Sequence, residues 1–208
     1  MSQFGTAYGE ELSFTTLARY YENGHEYVDL GLSVKWATCN IGATKPEEIG
    51  DEFAWGDIIP NRGGSWDTYV HCYDAANNLT KYCTDSTLGV VDNKTTLEPM
   101  DDAAHIHWGG NWRMPTSSEF RELYNNCDVK MLSKGKLKFV SRKAGYTDKS
   151  IILCVPQMAT CYDFWTSSLN TNNSSYARVF RMTGNSPSTN LDMVIERYYV
   201  NYIRPVCP

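Results

Sequence analysis

The part of the chain that decides the fold is residues 108–127, which read Trp-Gly-Gly-Asn-Trp-Arg-Met-Pro-Thr-Ser-Ser-Glu-Phe-Arg-Glu-Leu-Tyr-Asn-Asn-Cys. Thr116 and Glu119 can form a capping box, because each side chain can accept a hydrogen bond from a backbone N–H that the first helical turn leaves unpaired. Apolar side chains then recur at helical spacing from Phe120 to Cys127. Since a proline favours an extended residue before it, the pattern predicts an amphipathic helix preceded by a stretched segment and a Gly-Gly turn.

The residues on either side of this helix predict a mixture of strands and long loops. Alternating apolar and polar side chains indicate strands at 26–30, 33–39 and 135–140, and the aliphatic stretch 150–155 predicts a central strand. A short helix is predicted at 101–107. Residues 59–99 are rich in small polar residues with scattered Trp66, Tyr69, Tyr73 and Tyr82, which indicates long loops pinned by aromatic side chains. A terminal strand is predicted at 203–206.

The first residues predict a second amphipathic helix. Ser13 can act as its N-cap, and Phe14, Leu17, Ala18 and Tyr21 keep helical spacing until Gly24. Its apolar face needs a partner, so we expect the helix to dock on the main domain; the alternative is that it joins a neighbouring subunit or a larger assembly. We therefore expect a helical lead at 1–24 and one domain at 25–208, which is long enough to bury a substantial core.

Charge and hydropathy argue against two classes of partner. The net charge is −5, and no run of lysine and arginine offers the clustered cations that a nucleic acid requires. No segment is long and apolar enough for membrane insertion, and the start lacks the basic and apolar regions of a cleaved secretion signal. We expect no nucleic-acid partner, and a location in a phage particle or the cytoplasm, or at a cell surface if another route exports the chain.

The seven cysteines have no zinc-type spacing, and free buried thiols in a reducing compartment explain them best. Cys72 with Cys83, or Cys154 with Cys161, could still pair outside a cell.

A metal site is a weaker interpretation of the histidines. His105 and His107 lie near Asp101 and Asp102 in sequence, but spacing alone confirms nothing, and a solvated short helix explains the pattern better. We expect no metal and no cofactor.

Residues 25–207 resemble a known family. The matching motifs are Tyr27–Glu48, Gly50–Gly56, Asp92–Glu98, Asp101–Ala104, Trp108–Glu119, Phe164–Ser168 and Ile203–Val206. In this order they are similar to a large family of paralogous domains from gut anaerobes and their phages. The resemblance implies a C-type lectin fold of the branch related to formylglycine-generating enzymes, whose Arg-Leu-Pro-Thr-x-x-Glu-Trp helix start is similar to residues 113–120. The expected fold class is α+β, with mixed, mostly antiparallel strands, two helices and long loops.

Several members of this branch are variable proteins of diversity-generating retroelements, in which error-prone reverse transcription at adenines rewrites codons near the C-terminus. Residues 165–176 are similar in place and composition. Independently, Tyr, Ser and Asn are residue types that build adaptable binding surfaces. Two features depart from the family pattern: Arg181 stands where an aromatic is common, so that it needs an inward partner or a shifted register, and residues 185–202 are unusually apolar.

The sequence therefore predicts a non-enzymatic binder without catalytic residues, and the resemblance implies that it is the variable protein of a diversity-generating retroelement. Its diversified recognition face, built from residues 170–202, is expected to bind a protein or a surface polysaccharide. Arg178, Phe180 and Met182 are expected to form an exposed row on one strand, with Ala177 and Val179 inward. The predicted ligand-binding residues are Asn170, Asn172, Asn173, Tyr176, Arg178, Phe180, Met182, Asn185, Asn190, Asp192, Arg197, Tyr199 and Asn201.

Two alternative functions remain open at this point. One is a phage tail or receptor-binding adhesin component that is not diversified. The other is an oxidase like the formylglycine-generating enzymes, which would need two reactive cysteines at one cleft. The sequence sets no oligomeric state.

Overall fold

The fold is described by a computed structural model of the chain in residues 18–133, 135–156, 161–183, 188–190 and 193–208. In these ranges it is α+β with mostly antiparallel strands and two α-helices, as predicted. Helix α1 spans Ala103–Trp108 and begins at Asp102, whose carboxylate accepts hydrogen bonds from two backbone amides. Helix α2 spans Ser117–Asn126 and begins with the predicted capping box of Thr116 and Glu119.

The strands have two to nine residues and form three sheets within the described ranges. In chain order they are β1 (Tyr20–Glu22), β2 (His25–Val28), β3 (Lys35–Ala37), β4 (Glu52–Ala54), β5 (Cys127–Ser133), β6 (Lys136–Ser141), β7 (Ser150–Cys154), β8 (Cys161–Leu169), β9 (Tyr176–Thr183), β10 (Ser188–Asn190), β11 (Val194–Glu196), β12 (Val200–Tyr202) and β13 (Val206–Cys207). The sheet orders are β1-β2-β3-β13, β10-β9-β8-β12-β4 with β11 also on β9, and β5-β6-β7. The β12–β8 pairing is parallel.

The predicted N-terminal helix is wrong in the part that the structure describes. Residues 1–17 lie outside the described residues, but Tyr20–Glu22 is strand β1, paired antiparallel with β2. Asn23 and Gly24 have φ values of 43° and 83°, the left-handed geometry of a two-residue hairpin turn. The Asn-Gly turn therefore outweighs the helical spacing that precedes it.

This hairpin docks on the Gly-Gly turn before α2. The His25 ring stacks on Trp108 with 3.9 Å between centroids, and the Trp112 indole donates a 2.7 Å hydrogen bond to the Glu22 carbonyl. Gly110 has a φ of 55°, and a Cβ added there would lie 2.8 Å from a Glu22 carboxylate oxygen. The positive φ favours glycine at this position.

Strand β7 is an edge strand, and β6 is the central strand of its sheet, so the predicted central position of residues 150–155 is wrong. The strand is apolar because Ile151 and Leu153 enter the core. At its outer edge the Arg204 guanidinium donates to the Ile152 carbonyl at 2.8 Å, and the Asn40 amide donates to the Cys154 carbonyl at 3.0 Å. Two buried polar side chains thus take the place of a neighbouring strand.

The β8–β9 strand pair is covered on both faces. Phe164 and Phe180 belong to a core cluster that includes the apolar side of α2 and strands β6 and β7. Their neighbours Trp165 and Val179 belong to a second cluster, with Trp55 and Trp112. Because successive side chains of a strand point to opposite faces, this pair divides the core into two halves.

Candidate ligand-binding face

The fully buried side chain of Arg197, at the turn between β11 and β12, organises one end of the molecule. Its guanidinium donates to the Tyr69 hydroxyl at 2.8 Å and to the carbonyls of Tyr82, Ser174 and Lys81 at 3.2, 3.0 and 3.1 Å. It also lies 4.9 Å from the Trp55 ring centroid and 5.1 Å from that of Tyr69. One side chain therefore fastens two distant loops to the sheet, and Tyr69 and Tyr82 pin the long loop as the sequence predicts.

The turn between β8 and β9, residues 170–175, is held by its own asparagines. The Asn170 Oδ1 accepts from the Asn172 amide at 3.2 Å, and the Asn173 Oδ1 accepts from the Ser175 amide at 2.9 Å. The Ser174 hydroxyl accepts from the Thr84 amide at 2.9 Å, which joins the turn to the long loop. Asn172 stays exposed at the turn's apex.

Aromatic side chains lie beside these turns. The Trp66 ring meets Tyr198 nearly edge to face at 5.1 Å, and Tyr198 lies 4.5 Å from Tyr199, measured between centroids. The Tyr198 hydroxyl donates to a Glu196 carboxylate oxygen at 2.7 Å. Tyr199 is 49 % exposed. We call the surface made by Trp66, Glu196, Tyr198 and Tyr199 the loop face.

A cluster of ionisable groups lies beneath the long loop. Asp101 accepts hydrogen bonds from Lys81 and from the Tyr82 hydroxyl, at 2.5 Å for the latter. The His71 ring donates from Nε2 to the Gly56 carbonyl at 3.0 Å and lies 3.8 Å from Asp101. Burial, and then the nearby Arg197 charge, lower the pKa of His71 to about 4. The ring is therefore neutral at pH 7.

The predicted ligand-binding residues divide by exposure. Tyr199 and Asn172 are exposed, and Asn173, Tyr176 and Arg178 are half-buried. Asn170, Phe180, Arg197 and Asn201 are buried, so their prediction as surface contacts is wrong. Asn185 and Asp192 lie outside the described residues, and the side chains of Met182 and Asn190 lie outside them as well, although their backbones are in β9 and β10.

Phe180, Asn170 and Arg197 each have a structural reason for their burial. Phe180 stacks on Phe120 of α2 with 4.6 Å between centroids, because the face of β9 opposite Val179 is also covered. Asn170 shapes its turn, and Arg197 fastens the loops. Asn201 lies on β12 opposite Phe53, between β4 and β8. The expected exposed row on β9 is therefore broken at Phe180, although Ala177 and Val179 point inward as expected.

Arg181 has the partner that its position requires. Its guanidinium forms a forked pair with the Asp163 carboxylate on β8, at 2.7 and 2.5 Å. The two residues face each other in the β8–β9 register, which is regular from Cys161 to Trp165 and shifts between Trp165 and Leu169.

The residues weighed for a metal site serve other purposes. Asp102 caps α1 and accepts from the Met114 amide at 2.8 Å. His105 lies 3.2 Å from the Trp112 carbonyl oxygen, and His107 lies 2.8 Å from that of Ile58. Among the described residues, no group of three metal-binding side chains is placed to hold an ion.

The thiols in the described part of the chain are free, Cys72, Cys83 and Cys154 among them. Burial raises the pKa of the Cys127 and Cys207 thiols to about 11 and also raises that of Cys154. Reactive cysteines require the opposite shift.

The chain was compared with protein-family models, with curated proteins and with solved structures. None of them matches it. The described helices are too short or too polar to cross a lipid bilayer.

Sequence reasoning missed part of the loop face. The sequence predicts that Trp66 pins the long loop, and the structure shows that it also borders the exposed surface. Glu196 and Tyr198 flank the buried Arg197, and a Glu-Arg-Tyr-Tyr run at a turn was a signal for this region. Which of the four side chains points inward depends on the loop partners of Arg197, which the sequence does not reveal.

Proposed function

We propose that the chain is a non-enzymatic ligand-binding protein that presents the loop face on a rigid scaffold. The observation that carries this proposal is the Arg197 anchorage, which fixes the long loop and the 170–175 turn while Tyr199 stays 49 % exposed above it. Tyrosine offers a large contact area at low entropic cost. Binding residues carried on firmly held loops are typical of recognition proteins.

We further propose that the scaffold is a C-type lectin fold, as the sequence resemblance implies. The two helices, the mostly antiparallel strands and the long loop across residues 59–99 support it. The ligand class that we propose is a protein or a surface polysaccharide.

The residues of the 170–175 turn differ in burial and in role, and this difference supports the proposal that the segment is diversified. Asn170 and Ser174 are buried and form the turn's hydrogen bonds, whereas Thr171 and Asn172 are exposed. Exposed positions tolerate substitution because they carry little of the packing energy. Codon changes at Thr171 and Asn172 would therefore alter the surface and leave the turn intact.

The binding test uses a glycan array and a library of displayed proteins as probes for the whole chain. A ligand found in this way should lose at least about tenfold in affinity with Tyr199→Ser, since exposed aromatic residues dominate binding energy. Tyr21→Ser is the matched control, because Tyr21 is 56 % exposed on a different sheet. Equal losses in both variants, or a loss only in Tyr21→Ser, would place the binding face elsewhere.

Diversification is tested by sequencing this gene from sister isolates. Differences concentrated at Asn-type codons after Phe164, with a reverse transcriptase and a near-copy of those codons nearby, would support a retroelement variable protein. Differences spread evenly along the chain would favour an undiversified adhesin or phage tail component.

A further inference from the structure

Strand β5 is a long, exposed edge of the β5-β6-β7 sheet. It has seven residues, and those from Asp128 to Ser133 are exposed except for the half-buried Val129. Met131 and Leu132 are 38 % and 52 % exposed. Exposed apolar edges of this kind readily pair with another strand.

The register identifies which backbone groups of β5 are available. The Arg142 amide donates to the Asn126 carbonyl at 2.9 Å, and Asp128 and Lys130 lie opposite Val140 and Lys138. Since hydrogen-bonded pairs alternate along an antiparallel ladder, Asp128 and Lys130 direct their backbone groups to β6. Val129 and Met131 direct theirs outward, where no hydrogen bond from another described residue reaches them.

The two edge strands of this sheet, β7 and β5, differ in whether side chains cover their outward backbone groups. At β7, Arg204 and Asn40 occupy the outward carbonyls of Ile152 and Cys154. At β5, the outward amides and carbonyls have no such covering among the described residues. The sheet therefore has one closed edge and one edge suited to a further strand.

We propose that β5 pairs with β5 of a second copy of this chain, antiparallel about a two-fold axis through Val129. This proposal does not depend on the proposed function. In this register Val129 faces its own copy as a hydrogen-bonded pair, and Asp128 faces Lys130 of the second copy. The symmetry generates that opposite-charge pair twice. Both fall at non-hydrogen-bonded positions, where cross-strand side chains approach most closely.

The charges select this register over its neighbours. An axis through Asp128 or Lys130 would set two like charges face to face and would join residues whose backbone groups already serve β6. An axis through Val129 avoids both costs. Self-complementary charge on an isologous interface is what a two-fold dimer requires, so the second copy is the occupant that the edge fits.

The surface beside β5 suits the same arrangement. A hollow of about 260 Å³ is lined by Tyr124, Asn125, Cys127, Asp128, Val129 and Arg142. The proposed register sets Met131 of the second copy opposite Cys127, at the rim of this hollow. An exposed apolar side chain would thereby leave water, and the two sheets would join into one of six strands.

The test is a charge-reversal set on the whole chain, measured by analytical ultracentrifugation. Lys130→Asp sets two aspartates face to face, and Asp128→Lys sets two lysines face to face, so each variant alone should dimerise at least about tenfold more weakly than the native chain. In a mixture of the two variants, the heterodimer sets Asp128 of one chain opposite Lys130 of the other, and the introduced aspartate opposite the introduced lysine. Both opposite-charge pairs are then restored, so the mixture should dimerise better than either variant alone. Lys143→Asp is the control, since Lys143 is exposed beyond β6 and gives the same charge change as Lys130→Asp.

Hydrogen exchange provides a second measurement. The amides of Val129 and Met131 should exchange more slowly as the native chain is concentrated. Asp128→Lys also removes a 3.9 Å contact with Arg142, so the mixture carries more weight than that variant alone. A native chain that remains monomeric would overturn the proposal, as would single variants that dimerise normally or a mixture that stays dissociated.

Discussion

The guanidinium of Arg197 lies 4.9 Å from the ring centroid of Trp55 while its Nε donates to the Tyr69 hydroxyl at 2.8 Å. A fully buried cation is costly unless its hydrogen bonds and surroundings compensate. Here three carbonyl groups and one hydroxyl accept from it, and aromatic faces add cation–π attraction. This one side chain contacts both the long loop and the 170–175 turn and so helps to fix their positions.

Replacing Arg197 by methionine should therefore lower the free energy of unfolding by at least about 3 kcal/mol, because buried acceptors lose their donors. Urea denaturation, followed by tryptophan fluorescence, measures this change in the free energy of unfolding. Arg19→Met is the control, since the Arg19 side chain is 70 % exposed and its ion pair with Glu26 spans 3.7 Å. If the free energy of unfolding falls no more in Arg197→Met than in the control, Arg197 does not anchor the loops.

Phe180→Ala should cost about 3–5 kcal/mol in stability, since the ring is 1 % exposed and stacks on Phe120. Tyr199→Ser, at an exposed position, should stay within about 0.5 kcal/mol of the native chain. Thermal and urea unfolding of both variants make the comparison. A small effect of Phe180→Ala would mean that the ring lies at the surface, as sequence parity suggested.

Local patterns in the sequence predict several elements of this fold. The capping box places α2 correctly because Thr116 and Glu119 act within one helical turn. Alternation places β2, β3 and β6. Of the aromatic residues expected to pin the long loop, Tyr69 and Tyr82 are buried, whereas Tyr73 is 80 % exposed. Each of these signals depends on neighbours in sequence, and tertiary contacts reinforce them.

Predictions that depend on distant partners were less successful. The alternation of side chains along β9 predicts an exposed row only if one face of the strand is covered. In the structure, α2 covers the face of Phe180, and Trp55 and its neighbours cover the face of Val179. The apolar composition of β7 suggested a central strand, since nothing local indicates that Arg204 and Asn40 would close its edge. From the sequence alone, Arg197 is predicted to be a surface cation, because the backbone carbonyls that accept its hydrogen bonds belong to segments distant in sequence.

The edge of β7 provides a test of hydrogen bonds from a buried arginine to carbonyls that are distant in sequence. Arg204 donates to the Asn40 Oδ1 at 2.8 Å and to three backbone carbonyls. Burial lowers the pKa of Arg204 to about 10, so the guanidinium remains charged at pH 7. Because Arg204 and Asn40 support one another, their effects should not add.

A double-mutant cycle of Arg204→Met and Asn40→Ala should give a coupling energy of about 1 kcal/mol or more from urea denaturation. Each single variant should also speed amide exchange in β7 more than in β5, since only the β7 edge loses its covering. Additive effects, or equal exchange in the two strands, would show that the pair does not act as a substitute strand.

The buried His71 gives the stability of the protein a defined dependence on pH. Burial and the charge of Arg197 lower its pKa from 6.5 to about 4 in the folded chain. Its contribution is therefore complete above about pH 6.5 and is lost as the pH falls towards 4, by up to about 3 kcal/mol. Urea denaturation of the native chain and of His71→Gln across this range isolates the effect, because every other titrating group is common to both. The difference between them should shrink as the pH falls, and a constant difference would show that His71 does not titrate in this way.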